Sequence, residues 1–107
     1  MDLVVMDECL PRKLKKLLVP HNIRTVPEMG LAGLKNGALL RELSSKCTAF
    51  ITIDSNLSYQ QNLPVLPFAS IVLSAPSNRM EHLEPLVPAI TAALKHAGPG
   101  AIIRIPS

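Results

Sequence analysis

Carboxylates follow two apolar runs of the chain at the points where those runs end. Asp7 and Glu8 come directly after residues 3–6, and Asp54 comes directly after residues 48–53. If the two runs are neighbouring parallel strands, Asp7 and Asp54 can share a hard cation such as Mg²⁺, which prefers oxygen ligands. A cation held there activates water for phosphodiester hydrolysis. We therefore predict that Asp7 and Asp54 are metal ligands whose carboxylates lie within about 8 Å of each other.

Polar residues also follow the other predicted strands. In open α/β sheets, ligands bind outside the carboxyl ends of the strands, where the strand order reverses. Each residue also has an ordinary structural explanation, because an acid after a strand often forms a turn and an Asn before a helix often serves as its N-cap. We favour the N-cap explanation for Asn36 and Asn78. The candidates for substrate contact at this edge are Asn36, Asn56, Gln61, Asn62, Asn78 and Arg79.

The elements that must position these residues alternate along the chain. Apolar runs predict strands at residues 3–6, 23–26, 48–53, 71–73 and 101–105, and helical periodicity predicts helices from residue 11 to a stop at 20–22, over 36–46 and over 78–97. Pro85 and Pro88 predict a kink in the last helix. This alternation predicts right-handed βαβ units in a mostly parallel sheet that forms one domain over residues 1–107. In the first helix, the residues predicted to face the core are Leu10, Leu14, Leu17 and Leu18.

Composition narrows the range of functions. With 48% hydrophobic and 18% charged residues, the chain has the profile of a folded domain. Aromatic residues make up 3% of the chain, which argues against nucleic-acid binding by base stacking. The net charge is +3, and the densest basic cluster is Arg12, Lys13, Lys15 and Lys16 on the outer face of the first helix. Such a cluster fits a polyanionic partner, and it equally fits ordinary solubility.

The cysteines and the termini bear on the cellular compartment. Cys9 and Cys47 are far apart in the sequence, and we expect both to be reduced core thiols. No secretory signal and no membrane span can be read from the sequence, so we expect a cytoplasmic protein. We predict surface positions for the histidines, whose spacing does not suit a metal: His21, His82 and His96.

Three segments together resemble a known family. They are LVVMDECLP at residues 3–11, EMGLAGLKNG at 28–37 and ITIDSNL at 51–57, and YQQN at 59–62 and SNR at 77–79 extend the similarity over nearly the whole chain. The chain resembles the small bacterial PIN-like proteins that are grouped with type II toxin–antitoxin toxins. The individual motifs are short, but their order and spacing are fairly specific.

The resemblance implies a three-layer α/β/α sandwich with a mostly parallel sheet. It also implies a Mg²⁺- or Mn²⁺-dependent ribonuclease that acts as a toxin beside a small antitoxin protein. Asp7 and Asp54 match the family's acids after the first and third strands, and Glu8 would assist them. Asn36 and Asn56 would orient water or phosphate, and Arg79 would guide the RNA backbone.

The chain departs from the nuclease pattern at three positions. Asn36 and Asn56 stand where nuclease-type relatives tend to place acids, and Cys9 stands where Asn is expected. Amides bring no charge and bind Mg²⁺ more weakly than carboxylates do. A second hypothesis therefore stays open: a catalytically silent PIN-like module that binds a protein, a nucleotide or a nucleic acid in the same cleft. The sequence names no RNA target or antitoxin, and it leaves a homodimer open.

Overall fold

The strands form where the sequence predicts them. The computed structural model describes residues 3–18, 22–34, 36–53 and 67–106, at positions 36 and 37 through the backbone alone. Each observed strand lies within two residues of its predicted bounds, because each is a short apolar run closed by polar or turn-forming residues. The strands are β1 (Val4–Met6), β2 (Ile23–Thr25), β3 (Ala49–Thr52), β4 (Ala69–Leu73) and β5 (Ile102–Ile105).

The helices also follow the predicted pattern. They are α1 (Arg12–Leu17), α2 (Asn36–Leu43), α3 (Met80–Leu83) and α4 (Val87–His96), with 3-10 turns at Pro27–Met29 and Glu84–Leu86. The second 3-10 turn contains Pro85 and separates α3 from α4, so the helix that was predicted to be kinked at this proline is divided there into two helices. No helix within the described ranges is long and apolar enough to cross a membrane.

The five strands form one sheet in the order β2-β1-β3-β4-β5, and every pairing is parallel. The α/β class and the parallel sheet are thereby confirmed. From β1 the chain goes outward to β2 and then returns to the other side of β1 as β3. The strand order therefore reverses at β1 and β3, and in open sheets this position favours ligand binding beyond the carboxyl ends of the strands.

Helices cover both faces of the sheet. Face 1, which carries Met6, Ile51 and Ile71, packs against the buried side chains of α1, α3 and α4. Face 2, which carries Val5 and Phe50, packs against α2, and Phe50 meets Phe68 edge to face at 6.4 Å between ring centroids. The helical residues buried on the two faces are Leu14, Leu83 and Ile90 on face 1 and Leu39, Leu40 and Leu43 on face 2.

The position of α3 and α4 corrects the expectation that all βαβ units are right-handed. The steps from β1 to β2 and from β4 to β5 go in opposite directions across the sheet, yet their helices cover the same face. These two connections therefore have opposite hands, and one of them has the rare left-handed sense. On face 1 of β4 and β5, Ile71, Leu73 and Ile105 belong to the same buried cluster as Leu83 of α3 and Ile90 of α4. Face 2 of these strands carries Ser70, Val72, Ile102 and Arg104.

The prediction that Leu17 faces the core is wrong. Leu17 is 39% exposed, whereas Leu14 and Leu18 are fully buried. The helix ends at Leu17, and Leu18 follows with φ −101° and ψ 15°, outside the helical region. Because the chain turns there, Leu18 completes the inward apolar stripe and Leu17 stays at the surface.

Candidate functional site

Asp7 lies at the carboxyl end of β1, in the middle of the sheet. Its N–H donates to the Ile51 carbonyl of β3 at 2.9 Å, which extends the strand pairing by one residue. Its carboxylate accepts two hydrogen bonds: Oδ2 from the Thr52 hydroxyl at 2.7 Å and Oδ1 from the Glu8 N–H at 2.8 Å. A carboxylate has about four acceptor positions. The orientation of Asp7 is therefore fixed while lone pairs remain for a cation or a water molecule.

Glu8 connects this edge to the loop that precedes α2. Its Oε1 accepts a hydrogen bond from the Gly33 N–H at 3.3 Å. Gly33 has φ +88°, in the left-handed region that favours glycine. The glycine thus allows the loop to turn its N–H toward Glu8, and the loop's approach to the site depends on both residues.

Cys9 is half-buried next to Asp7 and Thr52. Burial is the main cause that raises the pKa of the Cys9 thiol, and the negative charge of Asp7 adds to it. The thiol is therefore protonated at neutral pH. Because the thiolate is the reactive form of cysteine, this environment does not activate Cys9 as a nucleophile.

Asn78 is not the N-cap that the sequence predicts. Arg79 occupies that position before α3 and makes no side-chain cap bond. The Asn78 side chain instead donates from Nδ2 to the Cys9 carbonyl at 2.7 Å, which joins the segment after β4 to the segment after β1. Ser77 Oγ accepts the Arg79 N–H at 3.1 Å and lies 2.7 Å from Nδ1 of the half-buried His82, so this turn is stabilised locally without Asn78 as a cap.

Arg79, a candidate substrate contact, has a largely exposed side chain. Its Nε lies 3.2 Å from Glu81 Oε1, and the side chain is 73% exposed. Exposed ion pairs of this kind contribute little to stability. Arg79 therefore extends into solvent, where a ligand can exchange with Glu81.

The structure describes the backbone of Asn36 among the other predicted site residues. Asn36 is the first residue of α2, and its side chain lies outside the described atoms. The predicted separation of Asp7 and Asp54 stays a prediction, although β1 and β3 are neighbours in the sheet. Within the described ranges, no three His, Cys, Asp or Glu side chains are grouped so that they could hold a metal ion. The predicted residues that lie outside those ranges are Asp54, Asn56, Gln61 and Asn62.

Sequence reasoning missed two residues at this edge, Thr52 and Arg104. Thr52 is fully buried, and the register that pairs Met6 with Ile51 puts it opposite Asp7. Arg104 is the charged residue of β5 and lines a pocket of about 250 Å³ together with Ile53, Ser74 and Pro106. Each is the polar interruption of an apolar run, a signal that would have singled out both positions.

No family model, no curated protein and no solved structure matches this chain.

Proposed function

We propose that the protein is a metal-dependent ribonuclease of the PIN-like type, a cytoplasmic toxin that acts beside a small antitoxin. The observation that carries the proposal is the Asp7 carboxylate. It lies where the strand order reverses and is held by Thr52 and the Glu8 N–H. Its neighbour β3 leads along the chain to Asp54. The resemblance to PIN-like toxins supports the same assignment.

The residues of the edge fit a hard cation. Asp7 is oriented by its hydrogen-bond donors and keeps free lone pairs, and hydrogen bonds of this kind position metal-binding carboxylates. Asp7 and Asp54 would hold Mg²⁺ or Mn²⁺, which when bound supplies a water molecule of lowered pKa and a positive charge near the leaving oxygen. Glu8 assists Asp7 and, through Gly33, positions the loop before α2. The substrate contacts in this proposal are Asn36, Asn56, Gln61, Asn62, Asn78 and Arg79.

A catalytically silent binding module is the second candidate, and one observation favours it. Asn36 and Asn56 bring no charge where nuclease-type relatives tend to place acids. A cleft with fewer negative charges binds a divalent cation more weakly.

RNA cleavage by the purified protein, followed on gels with Mg²⁺, Mn²⁺ or EDTA, distinguishes the two candidates. We expect metal-dependent cleavage by the wild type. Removing the hydrogen-bond partner of a metal ligand reduces activity by up to roughly 100-fold. Removing the ligand itself should reduce activity at least as much. We therefore expect Asp7→Asn and Asp54→Asn to reduce cleavage at least that much while circular dichroism shows the fold retained.

The matched control is Glu42→Gln, which replaces an exposed acid on α2 that pairs with Lys46. Cleavage that persists in EDTA or in Asp54→Asn would come from a contaminant and would remove the support for this function.

The double variant Asn36→Asp with Asn56→Asp tests the second candidate. If the wild type binds RNA without cleaving it, restoring the two charges should tighten Mn²⁺ binding in a calorimetric titration. It should also produce cleavage that Asp54→Asn abolishes. Unchanged Mn²⁺ affinity would show that missing charge is not what limits the site.

A further inference from the structure

A basic groove of about 730 Å³ lies along the β2 edge of the sheet, between α1 and β2. Among the described strands, β2 lies at one edge of the sheet, and the groove runs beside it. Because α1 follows the carboxyl end of β1, its first residue, Arg12, begins the groove near the edge that carries Asp7. The charged residues that line it are Arg12, Lys15, Lys16, Arg24 and Glu28.

Glu28 is fixed in this groove by reciprocal hydrogen bonds with Thr25. The Thr25 N–H donates to Glu28 Oε1 at 2.8 Å, and the Glu28 N–H donates to Thr25 Oγ1 at 3.2 Å. This is the hydrogen-bonding pattern of a capping box. Lys15 Nζ lies 3.0 Å from each carboxylate oxygen of Glu28. The Thr25 N–H first, and then Lys15, lower the pKa of Glu28 to about 2, so Glu28 is ionised at neutral pH and offsets the charge of Lys15.

The other three cations of the groove are not offset in this way. Arg12, Lys16 and Arg24 are exposed, and within the described part of the chain none of them has an ion-pair partner. Three uncompensated positive charges along one groove attract a polyanion.

The lining of the groove disfavours a protein partner. Among the described residues that line the groove, Ile23 is the apolar one, and its side chain is only 5% exposed. It therefore offers no exposed anchor side chain of the kind that dominates protein interfaces. An added strand would need the free backbone groups of β2. Glu28 already accepts the Thr25 N–H there, which hinders such pairing.

We propose that this groove binds the phosphodiester backbone of an RNA strand through Arg12, Lys16 and Arg24. Choosing RNA as the polyanion rests on the proposed ribonuclease function. Backbone contacts position a nucleic acid and carry no direct sequence information. The described lining contains no aromatic side chain on which a base could stack, which leaves the phosphates as the groups that it contacts. Binding through phosphates is independent of base sequence. An RNA strand that is bound along α1 extends toward Asp7 at the carboxyl edge of the sheet.

Fluorescence anisotropy with a labelled single-stranded RNA in EDTA tests the groove without cleavage. Each lost phosphate contact should reduce the slope of log K against log salt by about 0.7, which corresponds to roughly fourfold weaker binding at 0.15 M salt. We expect this change for Lys16→Gln and for Arg24→Gln. The matched control is Lys13→Gln, an exposed cation of α1 that does not line the groove, and it should keep the wild-type slope.

Three results would overturn the proposal. They are the absence of RNA binding by the wild type, an equal loss of slope in Lys13→Gln, and displacement of the RNA by polyglutamate at equal charge concentration, which would assign the groove to an acidic protein. The proposed ribonuclease function fails separately. If it is wrong, RNA binding in EDTA persists with the expected slopes while no cleavage appears with Mg²⁺ or Mn²⁺.

Discussion

The carboxyl edge of the sheet and the α1–β2 groove hold charge in different ways. At the edge, Asp7 is fixed by hydrogen bonds of 2.7 and 2.8 Å from Thr52 and Glu8. In the groove, Arg12, Lys16 and Arg24 have no ion-pair partner within the described residues. A fixed group suits chemistry at one atom, because reactivity depends on position. Exposed cations without an ion-pair partner suit a polymer, because phosphate binding tolerates many geometries.

The largest expected effect is the loss of kcat when Thr52 at the carboxyl edge is replaced. Thr52→Val keeps the side-chain shape but removes the hydroxyl that orients Asp7. We expect kcat for RNA cleavage to fall by about 10- to 100-fold with KM little changed. Arg24→Gln should instead raise KM by about fourfold at 0.15 M salt with kcat unchanged. Steady-state kinetics separate the two effects.

The control for Thr52→Val is Ser44→Ala, which removes a half-buried hydroxyl that bonds the Leu40 carbonyl on α2. This variant should keep wild-type kcat. If Thr52→Val changed KM alone, the hydroxyl of Thr52 would not be orienting a group that takes part in the reaction, and the contrast between the two regions would fail.

Within the groove, Glu28 is the group that is fixed by hydrogen bonds. Replacing it should have a smaller effect than replacing Thr52, and the effect should be on the free energy of unfolding. The pKa of Glu28 is lowered from 4.5 to about 2 in the folded protein. The contribution of ionised Glu28 is therefore fully present above pH 4.5 and is lost as the pH falls toward 2. Urea unfolding between pH 6 and pH 2 should show a flatter pH dependence for Glu28→Gln than for the wild type. Glu42→Gln, which leaves the Thr25 and Lys15 contacts intact, should keep the wild-type dependence.

The smallest effect is expected for Cys9. Burial and the charge of Asp7 raise the pKa of its thiol, and burial raises the pKa of Cys47 to about 12. Both thiols should therefore react slowly with iodoacetamide at pH 8 in the native protein and rapidly in urea, as followed by mass spectrometry. Cys9→Ser should leave kcat unchanged. Rapid native labelling of Cys9 would reveal a reactive thiolate at the edge and would contradict its role as a core thiol.

The sequence predicted the strands well because each is an apolar run with a clear end. It could not predict the face on which α3 and α4 pack, because the choice depends on the register of β4 and β5, which decides that Ile71 and Ile105 share one face.

The sequence predicted which candidate residues follow which strands, but it did not predict the hydrogen bonds that these residues make. Asp7 follows β1 as expected, but its hydrogen bond to Thr52 requires the pairing of β1 with β3. The bond from Asn78 to the Cys9 carbonyl joins positions that are far apart in the sequence, so local capping patterns pointed elsewhere. The spacing of Thr25 and Glu28 did contain a readable signal, since Thr-x-x-Glu is typical of a capping box.

The shared covering of face 1 has a consequence for how the chain folds. Leu14 of α1 and Ile71 of β4 belong to one buried cluster with Leu83 of α3 and Ile90 of α4. The ribosome makes α3 and α4 long after α1, so the part of the face 1 cluster that these two helices cover stays exposed in the growing chain until they emerge. Contacts between such distant segments slow folding, and exposed apolar surface in the meantime favours aggregation and chaperone capture. The late helices therefore complete a core that the early helix begins.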